Sequence, residues 1–167
     1  MKVNNHTNRL KLRDGFQWSE HFLAPIILSF IISFVGSSLI LNLTHYSDNF
    51  LIIFILSCIP IGLGTYYFQL NKLKFKSFTL TKDIESFKKG VRELFLKEGW
   101  DIEHDTENYI QTSYNGLFTF DMLTLKYKKN EIQWNVIHHP DAKNTIASLF
   151  SINVRGRQMI KKIKASA

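Results

Sequence analysis

Four acidic residues, Asp101, Glu103, Asp105 and Glu107, recur at every second position with His104 among them. On an extended chain this spacing projects carboxylates from one side of a strand, where they can hold a cation or meet a basic partner. A second cluster, His138-His139-Pro140-Asp141, closes the last apolar run of the chain. Together Glu103, His104, His138 and His139 have the side-chain types of a metal or acid/base site. The spacing argues against one. Adjacent histidines on a strand point to opposite sides, and no third ligand at a spacing such as HExxH accompanies them. The expectation is a solvated acidic edge that discourages sheet aggregation, followed by a turn with exposed histidines.

The remaining candidates are no stronger. Cys58 is the single cysteine, so an intrachain disulfide is excluded, and with no thiolate-stabilising neighbour it reads as a small packing residue. Arg155-Gly156-Arg157 could touch a phosphate, but an isolated RGR is too common to assign. The chain has no nucleophile elbow, no phosphate-cradling GxxxxGK[ST] or GxGxxG, and no CxxC. The reading is non-enzymatic, with no catalytic residue, metal ligand or cofactor.

What could position a binding surface is clearer. Residues 22–41 and 50–68 contain no Lys, Arg, Asp, Glu or His, and a helix of about 20 residues spans the roughly 30 Å hydrocarbon core of a bilayer. The expectation is a transmembrane hairpin over 22–68, preceded by a basic segment, 1–21, and followed by a basic juxtamembrane linker, 69–76. Lys2, Arg9, Lys11 and Arg13 precede the first run, Lys72, Lys74 and Lys76 follow the second, and the loop Asn42 to Asn49 has no Lys or Arg. The positive-inside rule then places both termini in the cytoplasm of a multi-pass inner (plasma) membrane protein. Trp18, Tyr66 and Tyr67 fall at headgroup depth on that side. The first run is too long for a signal peptide and lacks a cleavage site, and Asn42-Leu43-Thr44 reads as turn chemistry rather than a glycosylation sequon.

Ser29, Ser33 and Ser37 recur every four residues with Gly36 beside them, and Cys58 and Gly62 share that spacing in the second helix. Small residues so placed let two helices approach closely, either within the hairpin or against a partner. Pro60 bends the second helix, while Pro25 is near enough to the start of the first to be tolerated. The hairpin has no ionisable side chain at membrane depth, so transport by this chain alone is not expected.

Residues 77–167 have the composition of a small soluble domain, expected to be cytoplasmic and α+β. Ser77 to Thr81 reads as a strand. Thr81 or Asp83 caps a helix whose residues Ile84, Phe87, Val91, Leu94 and Phe95 form an apolar stripe ending at Gly99. Four aromatic and β-branched runs, 100–104, 109–114, 117–127 and 131–137, then form an antiparallel meander, with turns at Asn115-Gly116 and Lys128-Lys129-Asn130. Residues 147–163 become helical toward their end.

No acid follows Asp141, while Lys143, Arg155, Arg157, Lys161, Lys162 and Lys164 are all basic. With Lys72, Lys74 and Lys76 they are candidates for contact with anionic lipid. Nucleic acid is not the expected partner, since no reading module accompanies the basic helix. The leading reading is an accessory or interaction subunit that presents its cytoplasmic domain to a protein partner or to a second copy. The alternatives are a membrane-tethered sensor of anionic lipid or another anionic ligand, and a membrane immunity protein.

Overall fold

A computed structural model describes residues 8–11, 15–44, 50–116, 120–139 and 153–167. It divides into two units, one of residues Asp14–Asn71 and one of residues Met1–Arg13 with Lys72–Ala167.

The first unit is a pair of long apolar helices, α1 (Gly15–Thr44) and α2 (Phe50–Lys72). Both exceed the expected bounds, and both are long and apolar enough to cross a membrane. Their side chains are distributed opposite to those of a water-soluble pair. Phe30, Phe34, Leu51, Leu56 and Leu63 are exposed, whereas Ser29, Ser33 and Ser37 are buried. Pro60 is accommodated inside α2. Trp18 and Pro25 side chains lie outside the described residues, as do 45–49 of the connecting loop.

The second unit is an antiparallel sheet with helices. Its elements are β1 (Lys76–Thr79), α3 (Ile84–Lys97), β2 (Asp101–Asp105), β3 (Tyr109–Asn115), β4 (Phe120–Lys128), β5 (Glu131–His138) and α4 (Val154–Ser166). The strand order is β1-β5-β4-β3-β2. Strands β2 to β5 form the expected meander, and β1 extends it to five strands by pairing with β5, Lys76 opposite Trp134. At one hairpin Lys128 faces Glu131, leaving Lys129-Asn130 as a two-residue turn. At the other, Asn115 faces Phe120, so 116–119 make the connection instead of the tight Asn115-Gly116 turn. Of the segment 147–163, residues 147–152 lie outside the described residues, and the helix starts at Val154.

Local chemistry sets the bounds of α3. The Asp83 carboxylate accepts the Ser86 N–H at 3.0 Å, satisfying an N-terminal donor that the helix itself cannot. Gly99 ends the helix at φ 73°, a left-handed conformation that suits glycine. The apolar stripe of α3 (Phe87, Val91, Phe95) packs with Met159, Ile160 and Ile163 of α4 against Ile110, Leu123, Leu125 and Ile132 of the sheet. Each such fully buried side chain contributes about 1.5–3 kcal/mol relative to exposure.

The opposite face of the sheet is also buried and mixes polar side chains with the apolar Met122 and Ile137. Gln111, Thr124, Lys126 and Asn135 are each no more than 3% exposed, and they alternate with the core residues along their strands. Gln111 donates to Thr124 Oγ1 at 3.0 Å. The Asn135 amide donates to the Lys72 and Lys74 carbonyls at 2.8 Å each, and Lys126 Nζ lies 4.0 Å from the Phe75 ring centroid. Residues 73–75 are in turn paired with 8–11, through Leu10 N–H to the Leu73 carbonyl (2.9 Å) and Phe75 N–H to the Asn8 carbonyl (3.0 Å). Leu10, Leu73 and Phe75 are buried. Residues 8–11 of the expected basic segment 1–21 and 73–75 of the expected linker 69–76 thus fall in the same unit as the sheet.

Candidate functional site

The position of α4 decides where most of the basic residues go. Gly156 sits against Val136 so closely that an added Cβ would collide with the valine side chain. Its N–H donates to Asp121 Oδ2 at 2.8 Å, so a carboxylate from β4 serves the first turn of α4. The Asn153 amide donates to the Val136 carbonyl at 3.3 Å. The glycine of Arg155-Gly156-Arg157 is thus a packing requirement, and the motif needs no phosphate to explain it.

Around this buried seam, residues Gly156, Met159, Ile160 and Ile163, the helix carries two basic flanks. On one, Lys162 Nζ donates to Glu98 at 2.5 Å, and the Arg155 guanidinium lies 5.7 Å from the Tyr114 ring centroid. Tyr114 packs against Trp100 with centroids 5.5 Å apart. These groups, with Gln158, line a hollow of about 40 Å³, enough for a few waters. Lys162 holds the Glu98 carboxyl below its ordinary range, so this flank is internally compensated.

Arg157, Lys161 and Lys164, spaced by four and three, form the other flank. Lys164 Nζ is 5.2 Å from the Trp134 ring centroid and 5.6 Å from that of Phe78. Lys76 Nζ, from β1, is 5.4 Å from the same Trp134 ring. Lys72 lies within Coulombic range of Arg157. Residues 72–76 and 157–164, far apart in sequence, are thereby joined in one surface. Lys74 is exposed beside them in sequence, bridged through its backbone to Arg9. Among the described residues, Lys76, Arg157, Lys161 and Lys164 pair with no carboxylate.

The acidic and histidine candidates come together only in part. A register shift between Ile102 and His104 breaks the alternation of β2, so the four acids do not form the single row that a regular strand would give. Asp105 instead binds Arg92 through two hydrogen bonds of 2.5 and 3.0 Å. Glu103 meets His139 at 2.8 Å although β3 and β4 lie between their strands, which requires the sheet to curl. Hydrogen bonding from His139, with help from Ser113, holds the Glu103 carboxyl below its ordinary range against the effect of burial. A carboxylate so stabilised is a weak base, and Ser113 is bonded to it rather than to an imidazole. His104 stands opposite Gln111 in the sheet, and His138 stands opposite Asp121. Of the four candidates, Glu103 and His139 are brought together and His104 is close enough to act on the Glu103 charge, while His138 stands apart opposite Asp121, so the acid/base constellation is assembled only in part. Burial, with His139 and Lys72 nearby, pushes His138 down to about 4, and Asp121 Oδ1 and both His138 ring nitrogens have no hydrogen-bond partner. Among the described residues no group of three or more His, Cys, Asp or Glu could hold a metal ion. Pro140 and Asp141 lie outside the described residues.

In the helix pair, Ser29 and Thr65 hydroxyls are 2.8 Å apart and Ser37 and Ser57 hydroxyls 3.5 Å apart. Ser33 is buried between these two layers, with no hydrogen-bond partner among the described residues. A Cβ built on Gly36 or Gly62 meets nothing within 4 Å, so neither glycine marks a close approach of the backbones. Cys58 is half-buried. Ser57 lies close to the expected Cys58/Gly62 ridge, and Thr65 is the residue to add to it, which a reading based on glycine spacing overlooks because hydroxyl contact does not need a missing side chain. Trp134 was also overlooked, since an aromatic on a strand reads first as core.

Comparison with protein-family models, with curated proteins and with solved structures finds no match for this chain.

Proposed function

We propose that this protein is a non-enzymatic integral membrane protein, an accessory or interaction subunit whose hairpin crosses the inner membrane and whose α+β domain works in the cytoplasm. The observation that carries this reading is the inverted helix pair. Its hydroxyls bond to one another while phenylalanine, leucine and isoleucine side chains are turned outward, the arrangement favoured where the surroundings are hydrocarbon. The pairing of residue 9 with residue 74 supports a common side for the two ends of the hairpin, because the chain entering α1 and the chain leaving α2 meet there. Lysines on both chain segments make that side the cytoplasmic one.

The reading of the domain as a binding module follows from how its ionisable groups are used. Asp121 serves α4, Asp105 holds Arg92, and Glu103 holds His139, so the buried and paired acids stabilise the fold. The test is in two steps. Alkaline carbonate should leave the protein in the membrane pellet, and a thiol introduced by Ala165→Cys should be labelled by an impermeant reagent in inverted vesicles and not in right-side-out ones. Mild crosslinking and mass spectrometry should then recover a stoichiometric protein partner or a second copy. Release by carbonate overturns the anchor, and labelling from the outside overturns the topology.

A further inference from the structure

We infer that the flank of α4 bearing Arg157, Lys161 and Lys164, joined by Lys76 of β1, binds the anionic phosphate headgroups of the leaflet from which the hairpin emerges. The inference rests on the membrane-anchored reading above and adds to it a ligand and a surface. Two ammonium groups, Lys76 and Lys164, are each within cation–π range of the same indole ring, Trp134. The ring attracts each of them but does not neutralise their mutual repulsion, and both lie within about a Debye length of one another. An anion that reaches between them relieves that repulsion.

The contrast with the other flank makes the argument specific. Lys162 has Glu98 as an internal counter-ion and Arg155 lies over an aromatic ring beside it, whereas Lys76, Arg157, Lys161 and Lys164 have no carboxylate among the described residues. Arg157 lies within Coulombic range of Asp121, but that carboxylate is fully buried and already engaged by the Gly156 N–H. All four basic residues are exposed. Lys72, the last residue of α2, lies within Coulombic range of Arg157, so the basic surface starts where the chain leaves the apolar helix. Anionic headgroups are the phosphates nearest to such a position, and each basic side chain held at a charged leaflet strengthens the attachment about fivefold.

The experiment uses the full chain in nanodiscs, with Cys58→Ser and a bimane dye on Ala165→Cys, which is exposed on α4. Acrylamide quenching reports whether that surface is open to water. In phosphatidylcholine discs containing about one third phosphatidylglycerol, quenching should fall several-fold relative to phosphatidylcholine alone, and recover in high salt. The variant Lys76→Gln/Arg157→Gln/Lys161→Gln/Lys164→Gln should lose the protection. Lys89→Gln/Lys97→Gln/Lys128→Gln/Lys129→Gln, which removes equal charge from exposed positions elsewhere, should keep it, as should Lys76→Arg/Lys164→Arg. Melting of each variant checks that the domain is folded. Equal loss in both glutamine variants, or no dependence on phosphatidylglycerol, overturns the inference. If inorganic phosphate abolishes the protection where chloride of equal ionic strength does not, the surface is a free-phosphate site and the leaflet assignment is overturned. Carbonate extraction tests the anchor separately, so a chain that stays in the pellet but ignores lipid charge removes this inference alone.

Discussion

The helix pair and the domain solve opposite packing problems with the same inventory of residues. In the domain, phenylalanine and isoleucine from α3 and α4 are gathered into one core while most charges, Lys88, Asp121 and Lys126 apart, face outward. In the helix pair, hydroxyls are gathered inward and the phenylalanines face out. The difference teaches where stability resides in each. Water drives the domain together through buried apolar area, whereas a helix pair in lipid has no such driving force and depends on close packing and a few hydrogen bonds. Substitutions of the same type should therefore have unequal costs in the two units, and that inequality can be measured.

The largest effect is expected at Phe95, which is completely buried between α3 and the sheet. Phe95→Ala should destabilise the domain by about 3–5 kcal/mol through lost transfer energy and a residual cavity. Phe30→Ala, at an exposed position on α1, should leave helix association nearly unchanged. Denaturant titration of the full chain, followed by Trp fluorescence for the domain and by helix-to-helix energy transfer for the pair, reads both. Equal losses would mean that the helix pair is also held by apolar burial, and the contrast would fail.

Gly156→Val is next. The added side chain has no room against Val136, and it would push away the segment whose N–H serves Asp121. Overpacking of this kind costs about 1–3 kcal/mol. Gly62→Ala in α2 should cost almost nothing, because nothing lies within 4 Å of its Cβ position. From sequence Gly62 reads as a helix-packing residue, and Gly156 is left without a role. Gly62 sits at a small-residue spacing, which is a recognised sign of close helices, while Gly156 sits in a motif that looks like surface chemistry. Spacing along one helix shows which residues share a face, but not which face meets a neighbour or how near that neighbour comes.

The same limit accounts for the rest of what was legible. The stripe Phe87, Val91, Phe95, the cap at Asp83 and the stop at Gly99 were readable because they are set within one turn or two of helix. The meander was readable because successive strands pair with their sequence neighbours. The β1–β5 pairing, the pairing of residues 8–11 with the linker, and the meeting of Lys76 with Lys164 at Trp134 join distant segments. No local pattern contains them. The bulge at Ile102 to His104 was invisible for a further reason, since a single inserted residue leaves the composition of a strand intact while reversing the side on which its acids fall.

A pH dependence separates the units next. His138 titrates at about 4 in the folded domain against an ordinary 6.5, because burial disfavours its charged form. Between those values the unfolded chain binds more protons, so domain stability should fall as pH drops from 6.5 toward 4 and lose no more from this residue below that. Burial raises the neighbouring Asp121 above its ordinary range, and since that group takes up its proton more readily when folded, it opposes the trend at the acidic end. His138→Gln should flatten the slope across this window in a series of thermal melts. Within the helix pair the runs 22–41 and 50–68 carry no Asp, Glu, Lys, Arg or His, but His21 of α1 meets the Gln69 carbonyl of α2 at 3.2 Å, so any response of association over the same range should come through residues outside those runs.

The smallest effect is the most discriminating for the helix pair. Ser29 shares a hydrogen bond with Thr65, and such interhelical bonds contribute about 0.6 kcal/mol on average, so Ser29→Ala should weaken helix association by roughly that amount. Ser33, equally buried, has no partner among the described residues to lose. Ser33→Ala should therefore be neutral or slightly stabilising, because it removes a polar group whose hydrogen bond is unmade. Association measured by energy transfer in mixed micelles would show the two substitutions on opposite sides of zero. If both weaken the pair equally, the serine stripe acts through shape and size. If only Ser29→Ala does, the pair is held at discrete hydrogen-bonded layers, and the outward phenylalanines contribute nothing that lipid cannot replace.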